Sequence, residues 1–370
     1  MRIPALTVLL GSMVTIALGQ SGYQIDSSLI MDFERYDPPS TLVVPEHPKT
    51  RAKFPFIDVH SHHFRMAQQD LGKLVSEMDE MNMGIIVNLS GQGGHALKAM
   101  FDNVDKYGKQ KRIAIFTNLE FRSIDEPDWA ENTLKQLEYD VSIGACGLKI
   151  YKNQGMFHND KNGNRIAIND PRLDPVWDKC GELGIPVIIH AADPKSFWDP
   201  QDENNERWLE LKLRPGRKRA DDDPAPWATI IAEQHDVFRK HPKTTFINAH
   251  LGWFGNNLEK LGQLLDEMPN MYVEIGAVIA ELGRQPRSAN RFFQKYQDRV
   301  LFGKDSYVPE EYNTYFRVLE TDDEYFPYYK RYHAFWKMYG LNLPDEILKK
   351  LYYKNALKII PGLDKSLFPE

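Results

Sequence analysis

One feature constrains the fold of this chain more than any other: from Phe54 onward, short apolar runs alternate with longer amphipathic runs. Short apolar runs predict β-strands that are buried on both faces, and apolar residues recurring every three or four positions predict helices. Strands are predicted at residues 56–60, 84–89, 112–116, 146–151, 186–190, 244–250, 271–275 and 300–302. Helices are predicted at residues 71–82, 96–107, 129–141, 175–183, 226–240, 258–268, 288–296 and 345–360.

Strands that alternate with helices form parallel sheets, because each helix carries the chain back to the start of the next strand. Eight such strands predict the α/β class and a (β/α)₈ TIM barrel. The alternative is an open doubly wound sheet, which would have a glycine-rich phosphate-binding turn after its first strand. Here the first strand runs into the histidines of Asp58-Val59-His60-Ser61-His62, so the barrel is favoured.

The chain is expected to have three parts. Arg2 gives a short positive start, and the largely apolar run 3–18 ends in small residues. This pattern predicts a secretory signal peptide and an exported protein, periplasmic or secreted, with no membrane span after cleavage; a retained N-terminal anchor is the alternative. The predicted parts are the signal peptide at 1–19, an extended lead-in at 20–53, and the barrel at 54–363 with insertions at about 191–226 and 307–343.

Composition narrows the class of partner. The 370 residues include 46 Lys and Arg against 52 Asp and Glu, a formal net charge of −6, so no broad basic face for nucleic acid is expected. Cys146 and Cys180 lie on separate predicted elements, which favours buried free thiols over a disulfide. The basic run Arg214–Arg219 is followed at once by three aspartates and is interpreted as a neutralised loop in solvent.

Polar side chains interrupt the apolar strands at their carboxyl ends. His60 and His62 close the first strand two positions apart, so both point to the same side. His190 ends the fifth strand, His250 ends the sixth, and Asp305 follows the eighth. One histidine at a strand end is usually structural. The carboxyl ends of barrel strands meet at one mouth, however, so this joint placement predicts a site there.

The chemistry of these side chains points to a metal ion. Imidazoles and a carboxylate suit divalent metals, and a catalytic zinc takes about three protein ligands plus water. We therefore expect His60, His62, His190 and Asp305 to bind one divalent ion, with zinc as the first choice and manganese as the alternative. Asp305 would also accept a proton from a metal-activated water. The other histidines, including His333, are expected to be mostly solvent-facing.

An ordered set of motifs carries a family resemblance over residues 54–363. The motifs are DVHSH at 58–62, VIIHAADP at 187–194, INAHLG at 247–252, LFGKDS at 301–306 and YYKNALKII at 352–360. In this set the chain resembles the amidohydrolase superfamily. It looks like the amidohydrolase-related branch, which includes the aminocarboxymuconate-semialdehyde decarboxylase-like proteins.

The resemblance implies a role for each residue of the site. His60 and His62 would be the first-strand metal ligands and His190 the fifth-strand ligand. His250 would bind a second metal or polarise the substrate, and Asp305 would be both a ligand and the general base. The branch mostly holds one zinc, sometimes manganese, and its members often form homodimers.

Three basic residues are left with open roles. Lys149 lies in the fourth predicted strand, where it could bind a substrate carboxylate, become a carbamate that bridges two metal ions, or pair with a barrel acid. A carbamate would raise the metal count to two. Arg284 and Arg287 follow the seventh strand and could grip a substrate carboxylate, although solvated loop arginines are the default interpretation.

These expectations lead to a metal-dependent enzyme that acts on a small molecule. The first hypothesis is an exported hydrolase that attacks an amide, ester or lactone carbonyl with a metal-activated water. The alternative is a metal-dependent decarboxylase, a lyase acting on a small carboxylated cyclic or enol substrate. The third hypothesis is a barrel that binds a ligand without catalysing a reaction. The complete set of predicted metal ligands disfavours it.

Overall fold

The computed structural model describes residues 30–369 and divides the chain into two units. The first unit is Met1–Leu42, and its described part contains one 3₁₀ turn at Phe33–Arg35. The Asp32 side chain caps this turn by accepting a hydrogen bond from the Glu34 N–H. The predicted signal peptide at 1–19 lies outside the described residues.

The second unit, Val43–Glu370, contains the alternating strands and helices. The strands are β1 (Phe56–Ser61), β2 (Met83–Asn88), β3 (Ile113–Ile115), β4 (Leu148–Ile150), β5 (Val187–Ile189), β6 (Phe246–Asn248), β7 (Met271–Glu274), β8 (Val300–Leu301), β9 (Phe326–Pro327) and β10 (Lys337–Met338). The helices are α1 (Leu71–Met81), α2 (Gly94–Lys106), α3 (Trp129–Ser142), α4 (Asp174–Glu182), α5 (Trp208–Leu213), α6 (Trp227–Lys240), α7 (Leu258–Glu267), α8 (Ile279–Gly283), α9 (Pro286–Lys295), α10 (Pro309–Glu320), α11 (Asp345–Lys349) and α12 (Asn355–Ile359).

Strands β1 to β8 coincide with the eight predicted strands, and their ladders are parallel. They form a three-stranded sheet, β1-β2-β3, and a five-stranded sheet, β4 to β8 in order. Isolated backbone bridges join the two sheets at both seams. Thr117, beyond β3, donates to Gly147 and accepts from Lys149; at the other seam Val59 donates to Phe302, and Asp305 donates to His60. This is the arrangement of a (β/α)₈ TIM barrel.

Burial explains why the strands are almost entirely apolar. Every residue of β1 is buried, because one face lies in the barrel interior and the other packs against helices. Phe56 of β1 contacts Phe302, Phe316 of α10 and Tyr352 with ring centroids 4.8 to 6.0 Å apart. The predicted helix at 345–360 is divided into α11 and α12 by a π-helical turn at Lys350–Lys354. In this turn, the carbonyl of Leu351 accepts a hydrogen bond from the Phe302 N–H.

The segment after β8 begins with a helix. Residues 309–320, the first part of the insertion predicted at about 307–343, form α10. Its buried apolar residues recur at helical spacing: Tyr312, Tyr315, Phe316, Val318 and Leu319. The rest of the segment follows α10 and carries the short hairpin β9–β10.

Two further predictions concern the thiols and the membrane. Cys146 and Cys180 are both free and buried, as expected. Burial raises the pKa of the Cys146 thiol to about 12. Within residues 30–369, none of the helices combines the length and apolar character that crossing a bilayer requires.

Candidate metal centre

Three of the predicted ligands converge at the barrel mouth. The Nε2 atoms of His60 and His62 each lie 3.5 Å from Oδ1 of Asp305. The ligand atoms of these three residues lie within 4.8 Å of one another. Because β1 and β8 are neighbours across a seam of the barrel, side chains about 245 positions apart in the sequence meet at one point.

The separations fit a metal ion. Ligand atoms that lie about 2.1 Å from a tetrahedral zinc are roughly 3.4 Å from one another. The Nε2 atom of His60 is buried and has no hydrogen-bond partner among the described residues. A buried nitrogen left without a partner is costly unless something binds it. The donor set and its spacing therefore fit one divalent ion.

Glu274, at the end of β7, fixes the orientation of His60. Its Oε1 atom accepts a hydrogen bond from His60 Nδ1 at 2.9 Å and another from the His250 N–H at 2.6 Å, while Oε2 accepts from the Gly276 N–H at 2.5 Å. His60, His250 and Glu274 also form a group of potential metal ligands. The 2.9 Å contact is a hydrogen-bond distance that leaves no room for an ion between the two side chains. Glu274 therefore orients His60 through Nδ1, while Nε2 faces Asp305.

His190 and His250 form a second pair beside the three ligands. His250 donates from Nδ1 to the Gly276 carbonyl at 2.8 Å, so its Nε2 carries a lone pair. Nε2 of His250 then accepts from His190 Nδ1 at 3.3 Å, which leaves the buried Nε2 of His190 as an acceptor without a partner in the described chain. His190 therefore lies next to the group of His60, His62 and Asp305 but is not part of it.

Two site residues adopt a left-handed backbone conformation. His250 has φ of 58° and Asp305 has φ of 83°. Left-handed backbone is unfavourable for residues other than glycine by about 1 to 3 kcal/mol, although aspartate tolerates it better than most. Such strain persists only where surrounding contacts hold it, and it is typical of functional sites.

Burial sets the charge states of the site. It holds the pKa of His60 and of His190 well below the usual value, and it lowers the pKa of His250 to about 4. Neutral imidazole is the form that binds metal ions. Burial acts to raise the pKa of Asp305, but the adjacent imidazoles of His62 and His60 outweigh it and hold that pKa well below its usual range.

Lys149 lies in the barrel interior beneath the site. It is almost completely buried, and its Nζ atom has no hydrogen-bond partner among the described residues. Burial lowers its pKa to about 8, while Asp305 and then Glu274 act in the opposite direction. Lys149 does not line the cavity that contains His190, His250 and Asp305, so direct binding of a substrate carboxylate is the interpretation that its position favours least.

A cavity of about 320 Å³ opens above the site, with His190, His250 and Asp305 at its floor. Its lining carries five basic side chains, namely Lys152, Arg207, Arg214, Arg217 and Lys330. The lining carboxylates are Asp193, Glu210 and Asp305. Excluding the histidines, the lining has a net positive charge before any metal ion is counted.

The cavity bears on two sequence interpretations. Arg214 and Arg217 belong to the basic run that was interpreted as a neutralised loop in solvent; Arg214 is exposed, in line with that interpretation, but both side chains also line the cavity. Arg217 pairs with Glu210 rather than with the aspartates that follow the run, and Arg214 lies over the Tyr332 ring with its guanidinium carbon 5.4 Å from the centroid. His333 was expected to face solvent, but it is 7% exposed and lines the same cavity.

The structure places Arg284 and Arg287 away from the histidines. Arg284 follows α8, pairs with Glu206 at 2.9 Å and lies 4.0 Å from the centroid of the Trp336 ring. Arg287 lines a different cavity, beside α9. The turn after β7 leads directly into α8; Arg284 comes just after α8, and Arg287 lies in the first turn of α9. Neither lines the cavity above Asp305.

Sequence reasoning missed Glu274, although a signal for it was available. Met271-Tyr272-Val273-Glu274 is a buried strand that ends in a carboxylate, the same pattern that identified the histidines. The basic cavity wall had no such signal, because its side chains come from loops that lack a regular period.

Comparison with known proteins gives one family match. The family model described as amidohydrolase matches residues 121–361. No curated protein gives a significant match to the chain.

Solved structures share the fold at low sequence identity. An uncharacterised TIM-barrel protein from Bordetella bronchiseptica is 14% identical, with 82% of this chain and 98% of that chain covered and a TM-score of 0.51. A dihydroxybenzoic acid decarboxylase from a Polaromonas species, with bound manganese and the inhibitor 2-nitroresorcinol, is 12% identical, with coverage of 83% and 96% and a TM-score of 0.52. A 2,6-dihydroxybenzoate decarboxylase complexed with 2,6-dihydroxybenzoate is 13% identical, with coverage of 83% and 99% and a TM-score of 0.50.

Identities this low establish a common fold and nothing about the reaction. The family match is stronger evidence, since residues 121–361 make up more than half of the 370-residue chain. The matched segment includes His190, His250 and Asp305. The chain belongs to the amidohydrolase family.

Proposed function

We propose that the protein is a metal-dependent hydrolase that cleaves the amide, ester or lactone bond of a small carboxylated molecule. One observation carries the proposal: His60 and His62 approach the same oxygen of Asp305 at 3.5 Å, and Asp305 lines a cavity with a basic wall. Family membership supports enzymatic activity, and the donor set supports dependence on a divalent ion. Zinc is our first choice because nitrogen-rich tetrahedral sites suit it, and manganese is the alternative.

His60, His62 and Asp305 would hold the ion, which when bound polarises a carbonyl and lowers the pKa of water. Asp305 has a second task in this proposal. Its Oδ1 atom faces the two imidazoles, and its Oδ2 atom would accept the proton of the attacking water and pass it to the leaving group. The side chain is one-third exposed, which leaves it accessible from the cavity.

His190 and His250 would act as a pair. Both ring nitrogens of His250 are engaged, one by the Gly276 carbonyl and the other by His190, so we propose that His250 positions His190 rather than contacting substrate. The Nε2 atom of His190 would accept a hydrogen bond from the substrate or from the attacking water. A small shift would instead allow it to become a fourth metal ligand.

The basic wall supports a carboxylated substrate. Arg214 and Lys330 line the cavity and have no carboxylate partner in the described part of the chain, whereas Arg217 and Arg207 pair with Glu210. Arginine binds carboxylates with two parallel hydrogen bonds, which would orient a substrate above Asp305.

The same wall favours a second candidate, a metal-dependent decarboxylase of a small carboxylated cyclic or enol substrate. Two decarboxylases share the fold with TM-scores of 0.50 and 0.52, which is compatible with that reaction without assigning it. Asp305 would then deliver a proton to the carbon that loses CO₂. The hydrolase remains our first proposal because Asp305 is partly exposed and lines the cavity, where an attacking water would reach it.

A product assay separates the two candidates. Protein loaded with zinc or manganese is incubated in ¹⁸O-labelled water with carboxylated lactones and amides, and separately with carboxylated phenols. Hydrolysis is expected to put ¹⁸O into the product carboxylate without release of CO₂, and Asp305→Asn should abolish the reaction. Release of CO₂ from the phenols instead would establish the decarboxylase, and no turnover of either set by metal-loaded protein would contradict the proposal.

Export and self-association belong to the proposal as well. Export rests on the N-terminal pattern at 1–19, and a homodimer rests on the family resemblance. Determining the N-terminal residue of protein recovered outside the cytoplasm tests the first, and light scattering during size-exclusion chromatography tests the second. An uncleaved chain that stays with the cells would contradict export. A measured mass equal to that of one chain would contradict the homodimer.

A further inference from the structure

A chain of hydrogen bonds leads away from His62 through two hydroxyl groups. His62 Nδ1 lies 2.7 Å from Ser90 Oγ, and Ser90 Oγ lies 2.8 Å from the hydroxyl of Tyr151. The Tyr151 hydroxyl lies 3.2 Å from the carbonyl oxygen of Leu89. Ser90, at the middle of the chain, is 1% exposed, whereas His62 and Tyr151 are partly exposed.

The direction of this chain follows from counting protons. A carbonyl oxygen can only accept, so the single proton of Tyr151 must point to Leu89 if that contact is a hydrogen bond. The Tyr151 oxygen then accepts from Ser90, and Ser90 accepts from His62 Nδ1. All three contacts can be hydrogen bonds at once in this one direction only. It places the ring proton of His62 on Nδ1 and a lone pair on Nε2, the atom that faces Asp305.

His62 differs in this respect from the other histidines of the site. His60 donates from Nδ1 to the carboxylate of Glu274, and His250 donates from Nδ1 to the carbonyl of Gly276. Both of those acceptors fix the tautomer without help. A serine hydroxyl can also donate, so Ser90 alone would allow the opposite tautomer of His62, in which Nε2 is protonated and cannot bind a metal ion.

We propose that Ser90 and Tyr151 are positioning residues that hold His62 in the metal-binding tautomer. Because the Ser90 hydroxyl donates its proton to Tyr151, it points away from His62. The Ser90 oxygen then accepts a hydrogen bond from His62 Nδ1–H. The inference rests on the metal dependence proposed above. It assigns to these two hydroxyls a share of the metal affinity, although neither of them touches the ion.

The surroundings hold this arrangement in place. Asn88, the last residue of β2, accepts hydrogen bonds on Oδ1 from the backbone N–H groups of His63 and Ser90, at 2.9 and 3.0 Å. It thereby ties the end of β1 to the end of β2. The Tyr151 ring stacks on the imidazole of His62 with centroids 5.6 Å apart. Asn88, Leu89 and Ser90 match the Asn-X-Ser glycosylation motif. Asn88 is completely buried, so we interpret these residues as structural and not as a glycosylation site.

Zinc affinity of metal-free protein, measured by competition with a chromophoric chelator, is the primary test. Tyr151→Phe and Ser90→Ala should each raise the dissociation constant by about 10- to 100-fold, the usual loss when an outer hydrogen bond to a ligand is removed. Ser90→Thr keeps the hydroxyl and should restore most of the affinity. Ser61→Ala is the matched control, because Ser61 is equally buried, adjoins both ligands and contacts His63 instead.

The tautomer itself supplies a readout that a general structural role would not change. In ¹⁵N spectra of the metal-free protein, His62 should carry its proton on Nδ1, and Tyr151→Phe should shift it partly to Nε2. Unchanged affinity and an unchanged tautomer in Tyr151→Phe would overturn the inference. If the unmodified protein takes up no divalent ion at all, the proposed function fails instead, and the tautomer measurement still decides the inference about Ser90 and Tyr151.

Discussion

Glu274 accepts a hydrogen bond from Nδ1 of His60 over 2.9 Å, and both side chains are completely buried. The contact joins β1 to the end of β7, and it leaves Nε2 of His60 as the atom that faces Asp305. Burial raises the pKa of Glu274, while the hydrogen bonds it accepts act in the opposite direction. A buried carboxylate that receives three N–H groups is costly to replace.

Replacing Glu274 with glutamine should weaken metal binding. One oxygen becomes an NH₂ group, which donates and cannot accept, so either the Gly276 N–H or the two donors on Oε1, His60 Nδ1 and the His250 N–H, lose their acceptor. We expect the dissociation constant for zinc to rise about 10- to 100-fold and the free energy of unfolding to fall by about 1 to 3 kcal/mol. Chelator competition and chemical denaturation measure the two effects, and an unchanged zinc affinity would show that Glu274 does not orient His60.

Removing the basic side chain of Arg214 should weaken the binding of carboxylated substrates. Arg214→Ala is expected to raise KM about 10-fold and to leave kcat within about 2-fold, because a charge-assisted hydrogen bond contributes about 1.5 kcal/mol or more. Arg284→Ala is the matched control, since Arg284 lies outside the cavity. Steady-state kinetics on the substrate found in the product assay measure both. Equal effects of the two substitutions would remove the basis for the proposed substrate class.

The salt bridges of Arg207 should contribute strongly to stability. Arg207 is 4% exposed, lies 2.9 Å from Glu210 and pairs with Glu281, which links α5 to α8. Arg207→Met leaves the buried Glu281 without its cation and Glu210 with Arg217 alone, and it should lower the free energy of unfolding by about 3 to 5 kcal/mol. Lys195→Met breaks an exposed pair with Asp199 in the same insertion and should cost less than about 1 kcal/mol. Urea denaturation compares the two, and equal losses would refute the assignment.

His235 of α6 should make the protein less stable in acid. Burial lowers its pKa from 6.5 to about 4, so the unfolded chain binds a proton more readily than the folded chain does. The free energy of unfolding should therefore fall as the pH drops from 6.5 to 4, by about 3 kcal/mol for this one group. His235→Phe should reduce that fall, whereas His95→Gln, on the exposed face of α2, should not. Identical pH dependence in all three proteins would contradict the prediction.

The strands and most of the helices could be predicted because burial leaves a regular pattern. Phe56–Ser61 and Val187–Ile189 lie within one or two residues of their predicted bounds, since every position in them is buried. Helix α10 was not among the predicted helices, because residues 307–343 were assigned to an insertion. The helical spacing of Tyr312, Tyr315 and Phe316 could have identified it.

The site could be predicted only in part. His60, His62 and Asp305 could be predicted because polar side chains at the ends of buried strands need binding partners. The structure brings the three residues together. The basic wall could not be predicted, because the direction of Arg214 depends on its contact with Tyr332, more than a hundred residues further along the chain. No local pattern encodes that contact.

The most direct test of the central claim is the metal content of purified protein, measured by inductively coupled plasma mass spectrometry after dialysis against metal-free buffer and reconstitution with zinc or manganese. We predict one divalent ion per chain in the unmodified protein and much less than one in the double variant His60→Ala, His62→Ala. Two ions per chain would indicate that Lys149 carries a bridging carbamate. Folded protein that takes up no ion, or a double variant that binds as much as the unmodified chain, would contradict the account.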